Sequence, residues 1–145
     1  MELVIGIIGI LLTLWTIKIQ FYSKPKEELE HMILTFKSTQ KLSLQVQDEL
    51  ETLIVQYNSW ECEMFPNLTY RTCLEEMKAC FKTNLTDDVL KNILSYKLSK
   101  STILSLTQSL ETLQNSLIQL QANLNLVRRQ MANNEIVGTQ KQKDR

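Results

Sequence analysis

His31 is the only histidine in a chain of 145 residues, and Cys62, Cys73 and Cys80 are the only thiols. A cysteine beside a histidine can form a nucleophile and its base, and three cysteines with one histidine can hold zinc. Both arrangements need the groups within a few ångströms of one another. The pattern around them predicts one helix from about 25 to 64, which would separate His31 from Cys62 by about 45 Å. That distance excludes both sites within one chain. Cys73 and Cys80, seven apart on one helix, would have Cα atoms about 10 Å apart, beyond disulfide reach. Only Cys62, across a turn at Pro66, could approach one of them. Cysteine in such places more often acts as a small apolar residue.

Thr86-Asp87-Asp88 could hold a cation, but a capping threonine followed by two acids is what a helix start requires. Asn67-Leu68-Thr69 and Asn84-Leu85-Thr86 match the N-glycosylation pattern. In a chain this rich in Asn, Ser and Thr they arise by chance, and they matter only if the body lies outside the cytoplasm. No Gly-rich phosphate loop, paired catalytic carboxylates, zinc spacing or nucleophile elbow is present. The expectation is a protein that is not an enzyme, with no cofactor, no metal and no small-molecule substrate.

The elements that carry these residues follow from composition and spacing. The chain has 3 glycines and 2 prolines, so it has few turn-forming residues and should consist of few, long elements. Lysine and arginine total 16 and acids total 16. A nucleic-acid binder usually carries a basic excess, so nucleic acid is not an expected partner.

Leu3 to Ile17 carries no charge, and continuing through Tyr22 gives about 20 residues, the span of a bilayer core. Lys18 near one end can snorkel, and Trp15, Phe21 and Tyr22 suit an interfacial aromatic belt. The segment lacks the positive start and small-residue cleavage site of a signal peptide. Residues 1–23 are therefore expected to form an uncleaved single-pass transmembrane anchor. Lys18, Lys24 and Lys26 flank its C-terminal end, which by the positive-inside rule places the body in the cytoplasm. Gly6, Gly9, Thr13 and Thr16, spaced 3, 4 and 3, form a small-residue face suited to self-association in the membrane.

Pro25 with Glu27 and Glu28 marks the start of the first body helix. Its apolar stripe runs Leu29, Met32, Phe36, then Thr39 and Ser43, then Val46, Leu50, Leu53, Tyr57, Trp60 and Met64, at alternating steps of 3 and 4. Pro66 stops it. A short helix over about 70–82 follows, with Thr72 and Glu75 as a capping box. The last helix, about 87–132, has Ile103, Leu106, Leu110, Leu113, Leu117, Leu120, Leu124, Val127 and Met131 at the same spacing without a miss. Ser99 to Thr102 is a place where it could kink. Residues 133–145 read as a disordered polar tail.

The predicted fold is all-α. A transmembrane helix leads into a body at 24–132 that forms a long antiparallel hairpin of the first and last helices, as a three-helix coiled-coil-like bundle. An up-down-up arrangement is the alternative. The hairpin would bring Arg128 and Arg129 back toward the membrane, where they could contact anionic headgroups. The flanks of the last seam are Ser, Thr, Gln and Asn rather than the Glu and Lys of dedicated zippers. These features imply a membrane-anchored scaffold or adaptor that binds a protein partner or itself through helix faces. Two other readings fit the same residues. One is a membrane-perturbing effector whose body clusters the anchors. The other is an extracytoplasmic, envelope-spanning coiled coil.

Overall fold

The structure, a computed structural model, describes residues 26–143. The anchor expected over residues 1–23, with Gly6, Gly9, Thr13 and Thr16, lies outside the described residues. Among the described residues no helix is long and apolar enough to cross a membrane.

Helix α1 spans Lys26–Tyr57, with Glu27 and Glu28 in its first turn where the helix dipole favours acids. Met32, Phe36, Thr39, Ser43, Val46, Leu50 and Leu53 are all buried, so the stripe faces the core through its hydroxyl interruption as well. The helix ends well before position 64, the limit set by Pro66. Asn58 takes a left-handed conformation, φ 47, which asparagine tolerates better than other side chains. The Ser59 amide then donates to the Ile54 carbonyl at 3.1 Å, closing the helix as a Schellman motif does. Trp60 and Met64, expected on the helix, lie on the connecting segment. They still pack, partly buried, against the core that contains Leu50 and Leu53.

That connection contains two short strands, β1 (Glu63–Phe65) and β2 (Leu68–Thr69), paired antiparallel with Phe65 opposite Leu68. Pro66 followed by Asn67 at φ 65 is the residue pattern of a type II turn. The protein is thus mostly helical, with a hairpin tip where a plain helix stop was expected. Thr69 caps helix α2 (Tyr70–Asn84), its hydroxyl accepting the Thr72 amide at 3.2 Å. Thr69, rather than the expected Thr72, is therefore the cap.

Thr86 caps the next helix, α3 (Asp87–Ser95), accepting the Val89 amide at 3.4 Å. The single helix expected over 87–132 is two. The chain leaves helical geometry at Tyr96 and re-enters at α4 (Lys100–Lys143), where the Ser99 hydroxyl accepts the Thr102 amide at 3.2 Å. Serine there offers the backbone a cap in place of a continuous ladder. Helix α4 also runs past 132, where a polar tail was expected. No proline interrupts residues 133–143, and a single glycine costs a helix only about 1 kcal/mol.

Helices α1 and α4 run parallel. Glu28 pairs with Lys100 at 2.5 Å, Ser38 with Gln114 at 3.2 Å, and Glu49 with Gln121 at 2.8 Å, both positions rising together. The return leg is α2 followed by α3. Glu51 pairs with Lys78 at 3.0 Å and Lys37 with Asp87 at 2.6 Å, one position falling as the other rises. The bundle is up-down-up, which corrects the antiparallel hairpin of first and last helices. The reason is where the chain reverses. At Leu85–Thr86 it breaks but keeps its direction, and the second reversal comes at Tyr96–Ser99.

The core divides into two clusters. One joins Val46, Leu50, Leu53 and Ile54 to Tyr70, Cys73, Leu74, Leu117 and Leu124. The other joins Met32 and Phe36 to Leu85, Leu90 and Ile103. Between them on α1 lie buried Thr39 and Ser43. The Thr39 hydroxyl donates to the Thr35 carbonyl at 2.8 Å, and the Gln47 amide donates to the Ser43 hydroxyl at 3.2 Å. These buried polar groups are thereby satisfied within α1, as burial requires.

Candidate functional site

His31 is kept apart from Cys62 by most of the length of α1. His31 is exposed near the start of α1, with Glu111 of α4 as its neighbour at 3.6 Å. From there α1 runs about 39 Å to Tyr57 before the chain reaches Cys62. Cys62 lies beside the start of α2, where its carbonyl accepts the Tyr70 amide at 3.1 Å. Cys62 and Cys80 are exposed and Cys73 is buried, all three as free thiols. Burial pushes the Cys73 thiol above its ordinary value, with Glu76 adding to the shift. Burial likewise raises the Tyr70 hydroxyl, and the nearby Cys62 adds to it. Among the described residues no three His, Cys, Asp or Glu side chains are grouped to hold a metal ion.

Helices α1 and α4 pack against each other, and the residues expected on their seams are covered to different degrees. On α1, Met32, Phe36, Val46, Leu50 and Leu53 are buried, and Leu29 and Tyr57 are partly buried. On α4 the two alternating rows differ. In the row Ile103, Leu110, Leu117, Leu124 and Met131, three members are buried and Leu110 and Met131 are partly covered. In the row Leu106, Leu113, Leu120 and Val127, none is fully buried. Arg128 is partly buried and Arg129 exposed, and both lie near the Tyr57 end of the bundle, because Val127 and Met131 pack with Tyr57 against one cluster. The parallel course of α4 removes the basis for bringing these arginines back toward the N-terminal segment.

Polar side chains fix the register of the seam. Gln121 donates to Glu49 Oε1, which also accepts from Gln45 at 3.0 Å. The other carboxylate oxygen of Glu49 is buried without a partner among the described residues. Arg71 pairs with Glu61 at 2.7 Å and stacks over the Trp60 ring with its guanidinium carbon 5.2 Å from the ring centre. This ties the hairpin tip to α2 by charge and by cation–π attraction.

Comparison with protein-family models, curated proteins and solved structures finds no match.

The outer face of α4 lies apart from the expected seams. Ile118, Ala122 and Leu126 are exposed there at i, i+4 and i+8, with Ile118 at 50% and Leu126 at 56% of full exposure. Leu104, also half exposed, lies two heptads before Ile118, but exposed Glu111 takes the position between them, so the apolar row is confined to Ile118–Leu126. Residues at this spacing share one helix face. Helix α4 thus uses one face for α1 and shows a second, narrower apolar stripe to the outside. The signal was present in the sequence, but the stronger heptad beside it dominated the pattern.

Proposed function

We infer that this protein is a non-enzymatic, membrane-anchored scaffold or adaptor that works through helix–helix contacts with a protein partner or with its own copies. The observation that carries this reading is the second apolar stripe of α4, Ile118–Ala122–Leu126, on a helix whose other face is already occupied. Scattered exposed apolar residues are ordinary, whereas a row along one helix face is the form a partner helix reads. The uncharged run from Leu3 to Ile17 supports the membrane anchor, and the lysines after it support a cytoplasmic body.

In this reading α1 starts directly after the anchor and holds the hairpin tip about 48 Å away. The test uses the full-length chain in detergent. Wild type should self-associate by light scattering or retain a specific protein in affinity capture, and Ile118→Glu with Leu126→Glu should abolish that. A monomer that retains nothing would end the scaffold reading. Release of the chain from membranes by alkaline carbonate would end the anchor.

A further inference from the structure

Helix α3 is the shortest helix among the described residues, and its Val89 and Ile93 are only partly buried against the cluster beneath it. Its nine residues have a single buried member, Leu90, while α1 has ten. A helix of this length is marginal without packing. A break at Leu85–Thr86 precedes it and a non-helical segment, Tyr96–Ser99, follows, with Tyr96 71% exposed. Its polar ties are at the surface. Lys37 reaches Asp87 at 2.6 Å with both side chains about half exposed, and Gln40 donates to the Leu85 carbonyl at 2.8 Å and to Asp87 at 2.9 Å. Exposed ion pairs of this kind contribute little.

Beneath this weak cover lies a well-built surface. Leu90 packs with Met32 and Phe36 of α1 and Ile103 of α4, and those three are at most 2% exposed. Helices α1 and α4 hold one another along their length through the paired residues already described. Withdrawal of α3 would leave them in place with an apolar groove between their first halves and Lys37 at one end of it.

We propose that α3 is a displaceable cover, and that the groove beneath it, between the first halves of α1 and α4, docks an amphipathic partner helix. The chemistry of that partner is read from the present occupant. It has an acid in the first turn to meet Lys37 and Gln40. Apolar residues follow at the spacing of Val89, Leu90 and Ile93 to fill the space over Met32, Phe36 and Ile103. It runs antiparallel to α1, as α3 does. The covered state is autoinhibited, since α3, tethered in the same chain, competes at a high effective concentration. A partner's apparent affinity is reduced by the fraction of chains in which the groove is open.

This goes beyond the outer stripe of α4 and stands or falls separately from it. The probe is a fluorescent peptide copying Thr86–Ser95, capped at both ends and added to the full-length chain. Leu90→Ala in the chain should raise the open fraction and tighten peptide binding at least about tenfold, since truncating a buried leucine weakens packing by more than that factor. In that background Lys37→Glu should weaken binding about threefold, and a peptide with lysine in place of Asp87 should restore it. Amide exchange should show α3 opening before α1, α2 and α4 in the unaltered chain. Equal peptide affinity for wild type and Leu90→Ala, or α3 exchanging together with α1, overturns the proposal. Dimers formed by Leu90→Ala in place of peptide capture would also overturn it, since a second copy would then be the occupant. The outer stripe and its capture experiment would be untouched by any of these failures.

Discussion

Gln121 of α4 donates its side-chain amide to Glu49 of α1 at 2.8 Å, and Gln114, two turns earlier, donates to Ser38 at 3.2 Å. Between the two contacts α1 advances by 11 residues and α4 by 7, both in the same direction, which is possible only if the helices point the same way. Spin labels at Gln56 and Gln130, in a chain with its three cysteines replaced by alanine, should lie near one another, roughly one to two helix diameters apart. Labels at Gln56 and Thr102 should be separated by about 40 Å more of helix. The reverse pattern would restore the antiparallel hairpin.

Packing sets the stability contrast along α1. Leu50 is fully buried, whereas Leu34 is 68% exposed. Leu50→Ala should cost about 2–5 kcal/mol in chemical denaturation, and Leu34→Ala less than about 0.5 kcal/mol. Similar losses at both positions would mean that a different face of α1 is buried.

The direction of α4 was not legible in the sequence, and the reason is physical. A heptad seam states which residues face a partner, but the same spacing serves a parallel or an antiparallel neighbour. The core positions themselves, Met32 through Leu53 and Ile103 through Leu124, were legible from their steps of 3 and 4. Trp60 and Met64 continue the α1 spacing by position although the chain has already left the helix at Asn58. A left-handed asparagine is a one-residue signal, and the longer pattern outweighed it. The reversal at Tyr96–Ser99 was similarly hidden, because a serine cap and a frayed helix read alike until the backbone is seen.

The hydroxyl layer of α1 should be dispensable for stability. Thr39 is fully buried and, among the described residues, its hydroxyl bonds only to the Thr35 carbonyl one turn back. Thr39→Val keeps the shape and removes the polar atom, so unfolding should be unchanged or shifted upward by up to about 1 kcal/mol. The clearer effect would be on cooperativity, since the polar layer between the two apolar clusters would shrink to Ser43 and Gln47. A loss above about 2 kcal/mol would show that the Thr39 hydroxyl has a further partner.

Thiol reactivity should divide two to one. Cys62 and Cys80 are exposed, while burial holds the Cys73 thiol above its usual value. The thiolate is the reactive form. Iodoacetamide at neutral pH should therefore modify two cysteines in the folded chain and the third only on addition of denaturant. Rapid modification of Cys73 without denaturant would show that α2 is loosely seated.

Acid should loosen α3 slightly, as expected of an exposed pair. The Lys37 ammonium, and then the Gln40 amide, hold the Asp87 carboxyl below its ordinary value. A carboxyl lowered on folding contributes stability above its unfolded value and loses that contribution as pH falls through the folded value. The Lys37–Asp87 tie is thus intact at neutral pH and fades below about pH 4. Amide exchange in α3, corrected for intrinsic rates, should accelerate there relative to α2, and Asp87→Asn should remove the pH dependence. An α3 equally protected on both sides of that range would rule out the ion pair as its tether.

The parallel course of α1 and α4 has a mechanical consequence. The start of α1 at Lys26 and the finish of α4 at Lys143 lie toward opposite ends of the bundle. Tension applied between those two points acts along both helix axes, so the interlocked side chains must slide past one another together. Helices joined as a simple hairpin would instead peel apart one turn at a time under the same pull.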